Sequence, residues 1–306
     1  MFRTTATTIA LLLTCPASAW ADSGTAVGPG NLWMAWNFDL LILLNLSLLG
    51  WLYLHGLRRL WHKAGNGRGV SRGQAASYLG SLAVLFVALI SPLDALSAEL
   101  ASAHMIQHML LMVVAAPLFV LGVPGLVLTW GLARKWRPMA ASWRRWLDTD
   151  ALGRPLLPWI LYAATLWVWH LPSAYQAALI DPLVHDAQHL SFFVMACLFW
   201  RMVLAPLRRH RLHPLTTVLV LFTTSLHATL LGVFMTLSPA LWYDFYTRRT
   251  AVWGLTPLED QHLAGLIMWM PSCLVYPAVA AAVFGMWLAT LSASDGSLCR
   301  QPLKGV

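Results

Sequence analysis

Charged residues are scarce in this chain, at 10% of its 306 residues, whereas hydrophobic residues make up 58%. That balance excludes an ordinary soluble domain and is typical of an integral membrane protein. The formal net charge of +8 could suggest a nucleic-acid-binding protein. The lysines and arginines lie in short segments between long apolar runs, where such residues orient membrane helices. We therefore expect membrane lipid, and no nucleic acid, as a partner.

Cysteine is scarce as well. Cys15 lies in the N-terminal segment, Cys197 and Cys273 in apolar runs and Cys299 near the C-terminus, a distribution that argues against a disulfide framework. No Cys-x-x-Cys pair is present, which argues against a cysteine-based metal site. The chain also lacks an evident catalytic nucleophile, an oxyanion hole and a nucleotide-binding loop. We therefore expect that the protein is not an enzyme.

The first 21 residues have the pattern of a cleavable signal peptide. Arg3 supplies the positive end, residues 9–13 form a short apolar core, and Ala17-Ser18-Ala19 offers a small-x-small cleavage site. An uncleaved membrane anchor is the alternative. Cleavage would leave the mature N-terminus in the periplasm.

Seven apolar runs are long enough to be membrane helices, which need roughly 20 residues each. The fold class that this predicts is an all-α membrane protein with seven transmembrane helices in residues 33–291, followed by a cytoplasmic tail at 292–306. Pro117, Pro271 and Pro277 predict kinks in the third and seventh helices. The predicted spans are 33–57, 74–92, 103–131, 156–173, 187–206, 214–237 and 262–291.

The basic residues alternate along the chain. All of the 20 lysines and arginines except Arg3, Arg248 and Arg249 lie in loops at one end of the predicted helices or in the tail. The positive-inside rule assigns that end to the cytoplasm. We therefore expect a multi-pass protein of the bacterial inner membrane, with a periplasmic N-terminus and a cytoplasmic C-terminus.

Histidine is concentrated at the opposite, periplasmic end. Two His-x-x-x-His pairs begin the third and fifth spans, and this spacing places both imidazoles of a pair on one helical face. Three more spans bring one histidine each to the same layer. Polar side chains at such depth are costly and usually functional, so we predict a metal site. The candidate ligands are His104, His108, His185, His189, His170, His227 and His262.

Asp39 joins the candidate metal site because it lies about six residues into the first predicted span. An unpaired carboxylate there would cost on the order of 2.5–3.5 kcal/mol, and a histidine N–H is a suitable partner. The alternative is that Asp39 caps a helix or bonds to a neighbouring one.

The identity of the metal follows from the ligand types. Imidazole suits copper, zinc and iron, and thioether sulfur favours Cu(I). Met105 and Met109 directly follow the first two histidines, although each methionine taken alone is better explained as a packing residue. We therefore expect copper, as Cu(I). Two alternatives stay open: a haem-binding redox protein with axial histidines, and a metal- or proton-coupled transporter.

Several motifs resemble the CtaG family of multi-span cytochrome c oxidase assembly factors, which is unrelated to the single-span copper chaperone that shares the name. Together they cover about residues 35–290. His262 departs from the family pattern, in which glutamine is frequent, and is either an added ligand or a neutral change. The motifs are His104-Met-Ile-Gln-His-Met-Leu-Leu, Ala116-Pro-Leu, Trp169-His-Leu-Pro with Tyr175, His185 to His189 followed by Phe192-Phe193, and Asp260-Gln-His-Leu-Ala-Gly-Leu-Ile-Met-Trp.

The resemblance implies a role in producing active haem–copper oxidase. Related domains occur fused to copper-resistance membrane proteins, so the resemblance also implies copper handling at the periplasmic face. The partners that it implies are cytochrome c oxidase subunits and a periplasmic copper chaperone.

Overall fold

The computed structural model describes residues 27–140, 156–204 and 212–298, and these form helices and connecting turns. Six of the helices are long and apolar enough to cross a membrane. The protein is thus a multi-pass helical membrane protein. The helices are α1 (Leu40–Ala64), α2 (Arg72–Ile90), α3 (Pro92–Ser97), α4 (Ala101–Leu121), α5 (Pro124–Gly131), α6 (Leu157–Trp169), α7 (Pro172–Ile180), α8 (Pro182–Leu204), α9 (Pro214–Leu237) and α10 (Pro257–Leu298).

The outward faces of the long helices are apolar. On α9, for example, Leu219, Phe222 and Leu226 are 57–60% exposed. A continuous apolar stripe of this kind would be costly in water, whereas lipid tails cover it at no cost.

The fourth predicted span is shorter than expected. Helix α6 has 13 residues, and a second short helix, α7, begins at Pro172. Thirteen residues rise only about 20 Å, less than the apolar thickness of a bilayer. The predicted count of seven spans therefore stays a prediction. The predicted signal peptide lies outside the described residues. Helix α10 ends at Leu298, so its last seven residues lie within the predicted tail.

The third predicted span, 103–131, is wrong as one continuous helix. Helix α4 ends at Leu121, and Val123 adopts a left-handed conformation with φ of 50° before Pro124 starts α5. A non-glycine residue in that region breaks the helical hydrogen-bond pattern, and proline is well suited to the first position of the next helix. Tyr53 stabilises the break by donating a hydrogen bond of 2.8 Å to the Gly122 carbonyl.

Helix α4 contains a π-helical segment at Leu110–Ala115, directly after its two histidines. The wider turn leaves backbone carbonyls without their usual partners. Trp200 Nε1 donates to the Met112 carbonyl and Ser81 Oγ donates to the Ala115 carbonyl, both at 2.8 Å. Neighbouring helices therefore stabilise this irregular stretch.

Helices α9 and α10 approach each other through two glycines. A Cβ on Gly232 would lie 2.9 Å from the Gly265 carbonyl oxygen, and a Cβ on Gly265 would lie 2.6 Å from the Gly232 carbonyl oxygen. No larger residue fits without moving a helix, and close contact at small residues is a common way to associate helices in lipid. Helix α10 continues through Pro271 and Pro277.

Candidate metal centre

The two His-x-x-x-His pairs meet side by side. Helices α4 and α8 both start at the same end of the bundle, hereafter the histidine end, and each carries its pair within its first eight residues. The ring centroids of His104 and His185 are 5.4 Å apart, and those of His108 and His189 are 5.3 Å apart. The predicted convergence of these four residues agrees with the structure.

Three of the four form a buried set of possible metal ligands. His104, His108 and His189, hereafter the histidine trio, each offer one ring nitrogen, and these nitrogens lie within 4.8 Å of one another. His104 and His108 are 0% exposed and His189 is 7% exposed.

The geometry of the trio fits one metal ion. An imidazole bound at about 2.0 Å has its ring centre about 3.1 Å from the metal, so two such rings at 90–120° have centres about 4.4–5.4 Å apart. The centroid separations within the trio are 4.3, 5.3 and 5.6 Å. Small ring rotations that draw the nitrogens together by about 1 Å would complete three-coordinate binding.

The trio also leaves polar atoms without protein partners. Among the described residues, His104 Nε2, His189 Nε2 and both nitrogens of His108 are buried without a hydrogen bond. The side-chain amide of Gln188 and His170 Nε2 are in the same condition nearby. Buried polar groups almost always have a partner, so the donor set is suited to a metal ion.

Two hydrogen bonds assign the protons of His104. Tyr246 Oη donates to the Ser97 carbonyl at 3.1 Å and lies 3.3 Å from His104 Nδ1. Burial holds the pKa of Tyr246 well above its ordinary value, so the hydroxyl keeps its single proton. Because that proton faces Ser97, the oxygen accepts from His104 Nδ1–H, and Nε2 is left with the lone pair that a metal requires.

His170 has the same tautomer for a different reason. Its Nδ1 lies 2.7 Å from the Leu166 carbonyl, which can only accept, so Nε2 has the lone pair. The His170 ring centroid is 6.2 Å from that of His108. His170 thus lies next to the trio without being part of the close set, and its predicted role as a ligand stays a prediction.

The first turn of α4 is capped from another helix. Leu100, the residue at the N-cap position, provides no side-chain oxygen. Asp260 of α10 takes this role: its carboxylate accepts from Ala101 N at 2.7 Å, Ser102 N at 3.1 Å and Ser102 Oγ at 2.5 Å. The free N–H groups at a helix start favour a carboxylate. This carboxylate fixes the position of α4 along the bundle relative to α10, and hence the position of the α4 histidines.

Gln261, next to Asp260, holds the loop that contains Tyr246. Its Oε1 accepts from Trp242 N at 2.6 Å, and its Nε2 donates to the Ala240 carbonyl at 3.1 Å. Asp260 and Gln261 therefore connect α10 to both α4 and the loop. Sequence reasoning quoted this pair only as part of a motif and missed its structural role. Nothing in the sequence pointed to Tyr246.

A second carboxylate supports α4 between its histidines. Gln107 Nε2 donates to Asp94 Oδ1 at 2.8 Å and to the Ala88 carbonyl at 2.7 Å. Asn37 Nδ2 donates to Asp94 Oδ2 at 2.7 Å. Burial raises the pKa of Asp94, and the hydrogen bonds from Asn37 and Gln107 act in the opposite direction. The sequence analysis did not select Asp94 as a site residue.

Asp39 lies outside the trio, and its predicted place within the first span is wrong. Helix α1 starts at Leu40, and Asp39 is its N-cap, with Oδ1 accepting from Leu41 N at 2.7 Å and Ile42 N at 3.2 Å. The carboxylate caps its own helix, as in the alternative interpretation, and it makes no hydrogen bond to a histidine among the described residues. The apolar residues before it form a short turn at Leu32–Met34 and an irregular segment.

Two predicted histidines lie apart from the trio. His262 Nε2 is 3.1 Å from the Ser238 carbonyl, at the end of α9. Within the part of the chain that the structure describes, His227 on α9 makes no hydrogen bond through either ring nitrogen and has no ring contact with the trio. Met105 packs in a core cluster with Tyr175, Met235 and Tyr243.

The fold and the site define a multi-pass helical membrane protein with a buried histidine cluster near one end. The family model described as cytochrome c oxidase caa3 assembly factor matches residues 51–290. The chain belongs to this family, as the motifs predicted.

Among curated proteins, the chain is similar to an uncharacterised protein of Mycobacterium leprae, with 27% identity over 266 residues, and to one of Mycobacterium bovis, with 26% identity over 263 residues. Each match covers 82% of this chain and 39% of the relative, so the chain spans less than half of their length. No solved structure matches the chain.

Proposed function

We propose that the protein binds Cu(I) with His104, His108 and His189 and assists the assembly of a copper centre in cytochrome c oxidase. The observation that carries the proposal is the buried trio, whose unpartnered nitrogens lie within 4.8 Å of one another. Family membership supplies the oxidase connection.

Copper is favoured by the chemistry of the site. Three neutral imidazoles in an apolar membrane layer present no negative charge, so a monovalent ion is the least costly to bind there. Cu(I) accepts two or three nitrogen ligands and exchanges them readily, as a protein that passes metal on requires. In this proposal the protein supplies binding and orientation and catalyses no reaction.

The distribution of charge supports a location in the bacterial inner membrane with the histidine end at the periplasm. Basic residues follow α1 and α5, at the opposite end from the trio. Oxidase subunits would then receive copper at the periplasmic face, with a periplasmic copper chaperone as a suitable donor.

The alternatives receive less support from the geometry. A haem would have to lie between two facing imidazoles, whereas the four rings contact one another at centroid distances of 4.1–5.6 Å.

For a transporter, polar groups further from the histidine end should form a path. There, Tyr162 pairs with Tyr276 at 2.6 Å and Trp159 with Thr224 at 3.1 Å, as in ordinary helix packing.

The test is copper stoichiometry of the purified protein after anaerobic Cu(I) loading and desalting, measured by mass spectrometry. We expect about one copper per chain in the wild type and its loss in His104→Ala/His108→Ala. The matched control is His227→Ala/His262→Ala, which also removes two membrane histidines and should retain copper. Equal retention in both double variants would contradict the site, and iron in place of copper would favour haem.

A further inference from the structure

His185 forms a second triangle of rings with two members of the trio. Its centroid lies 4.1 Å from that of His189 and 5.4 Å from that of His104. The trio itself forms the inner triangle, in which the His108 centroid lies 4.3 Å from that of His104 and 5.3 Å from that of His189. Both triangles share the His104–His189 edge of 5.6 Å. The triangles are near copies that differ only in the third histidine, which is His185 in one and His108 in the other.

His185 and His108, which distinguish the two triangles, lie at different depths in the bundle. His185 and His189 are one helical turn apart, as are His104 and His108, so His108 lies about 6 Å further from the histidine end than His104 does. His108 is completely buried, whereas His185 is partly exposed near the start of α8. The outer triangle is therefore partly exposed at its His185 corner, whereas the His108 corner of the inner triangle is enclosed.

The His185 ring makes no hydrogen bond with the described residues, and its nitrogens are not among those within 4.8 Å of one another. The His185 ring must therefore rotate towards His104 and His189 before the outer triangle can bind an ion.

We propose that His185 is the entry ligand: Cu(I) binds first to His185, His189 and His104 and then moves inward as His108 replaces His185. One Cu–N bond forms at His108 and one breaks at His185, while the copper stays Cu(I) and no electron is transferred. His104 and His189 remain bound throughout, so the cation never crosses an apolar layer without ligands. This inference rests on the proposed Cu(I) site.

The experiment measures uptake rate and affinity separately. Full-length protein in nanodiscs is mixed anaerobically with the Cu(I)–bicinchoninate complex, and loss of its colour is followed by stopped flow and to equilibrium. We expect His185→Ala to slow uptake at least tenfold and to change the equilibrium affinity less than about threefold. His108→Ala should behave in the opposite way, with near wild-type initial uptake and an affinity at least tenfold lower. His262→Ala, outside the cluster, is the control and should change neither.

Other outcomes would overturn the inference. Equal loss of affinity in His185→Ala and His108→Ala would indicate one four-histidine site, and an unchanged uptake rate in His185→Ala would place the entry elsewhere. His185→Gln, which keeps a polar side chain of similar size, should also slow uptake, and normal uptake by this variant would contradict a requirement for imidazole. If the wild type takes no Cu(I), the proposed function itself fails, and the entry route fails with it.

Discussion

The role assigned to Tyr246 gives a sharp prediction for Tyr246→Phe, which removes one oxygen atom. That oxygen accepts from His104 Nδ1–H at 3.3 Å and donates to the Ser97 carbonyl at 3.1 Å. The Tyr175 hydroxyl, 3.5 Å away, is a third partner of that oxygen. Three buried groups lose a partner, at about 1–3 kcal/mol each, so we expect unfolding in detergent to occur at a lower temperature. His104 also loses the bond that fixes its tautomer.

The expected effect on copper is larger than a loss of stability alone would cause. Loss of a group that orients a ligand histidine lowers metal affinity about 10- to 100-fold, equivalent to about 1.4–2.8 kcal/mol. Affinity is measured by anaerobic competition between the protein and bicinchoninate for Cu(I), in folded protein and below the unfolding temperature of each variant.

Tyr243→Phe is the matched control. Tyr243 belongs to the same loop, is equally buried, and donates to a backbone carbonyl, that of His170, at 3.1 Å. We expect a smaller loss of stability, because one carbonyl loses its partner, and a change in copper affinity of less than about threefold. If both variants weaken copper binding equally, or Tyr246→Phe binds as the wild type does, the tautomer assignment is refuted.

Three further variants test the surroundings of the trio by thermal unfolding and Cu(I) titration. Asp260→Ala should lower the free energy of unfolding by about 2–4 kcal/mol and weaken copper binding. Its control is Ser71→Ala, which removes a distant helix cap and should lower the free energy of unfolding by about 1 kcal/mol without changing copper affinity. Equal copper affinities in the two variants would contradict the cross-helix cap. Asp39→Ala should cost about 1 kcal/mol with unchanged copper affinity, and a lower affinity would make Asp39 part of the site after all. Gly265→Ala should destabilise the α9–α10 pair by about 1–3 kcal/mol, and an unchanged unfolding temperature would argue against close helix contact.

Much of the helical framework was predictable because lipid demands long apolar runs. The failures have local physical reasons. The segment before Asp39 is apolar because it contains Trp33, Trp36 and Phe38, all of them exposed, so hydrophobicity alone extended the first helix too far. The break at Val123 depends on one backbone dihedral angle, which composition does not specify.

For the site, spacing within one helix was a reliable guide, whereas distance between helices was not. His104 and His108 share a face by virtue of helix geometry alone. His227 lies at a suitable depth, yet whether it turns towards the trio depends on the rotation of α9, which is set by contacts such as those at Gly232. The Asp260 cap joins residues 158 positions apart and has no local pattern.

The cap on α4 has a consequence for the order of events during synthesis. The ribosome produces His104 and His108 long before Asp260 and the loop with Tyr246. Until α10 has entered the membrane, the first turn of α4 lacks its carboxylate and His104 lacks its hydrogen-bond partner. A half-made chain therefore has the histidines of α4 without the contacts that hold them, and we expect the proposed copper site to reach its full affinity after the chain has folded through α10.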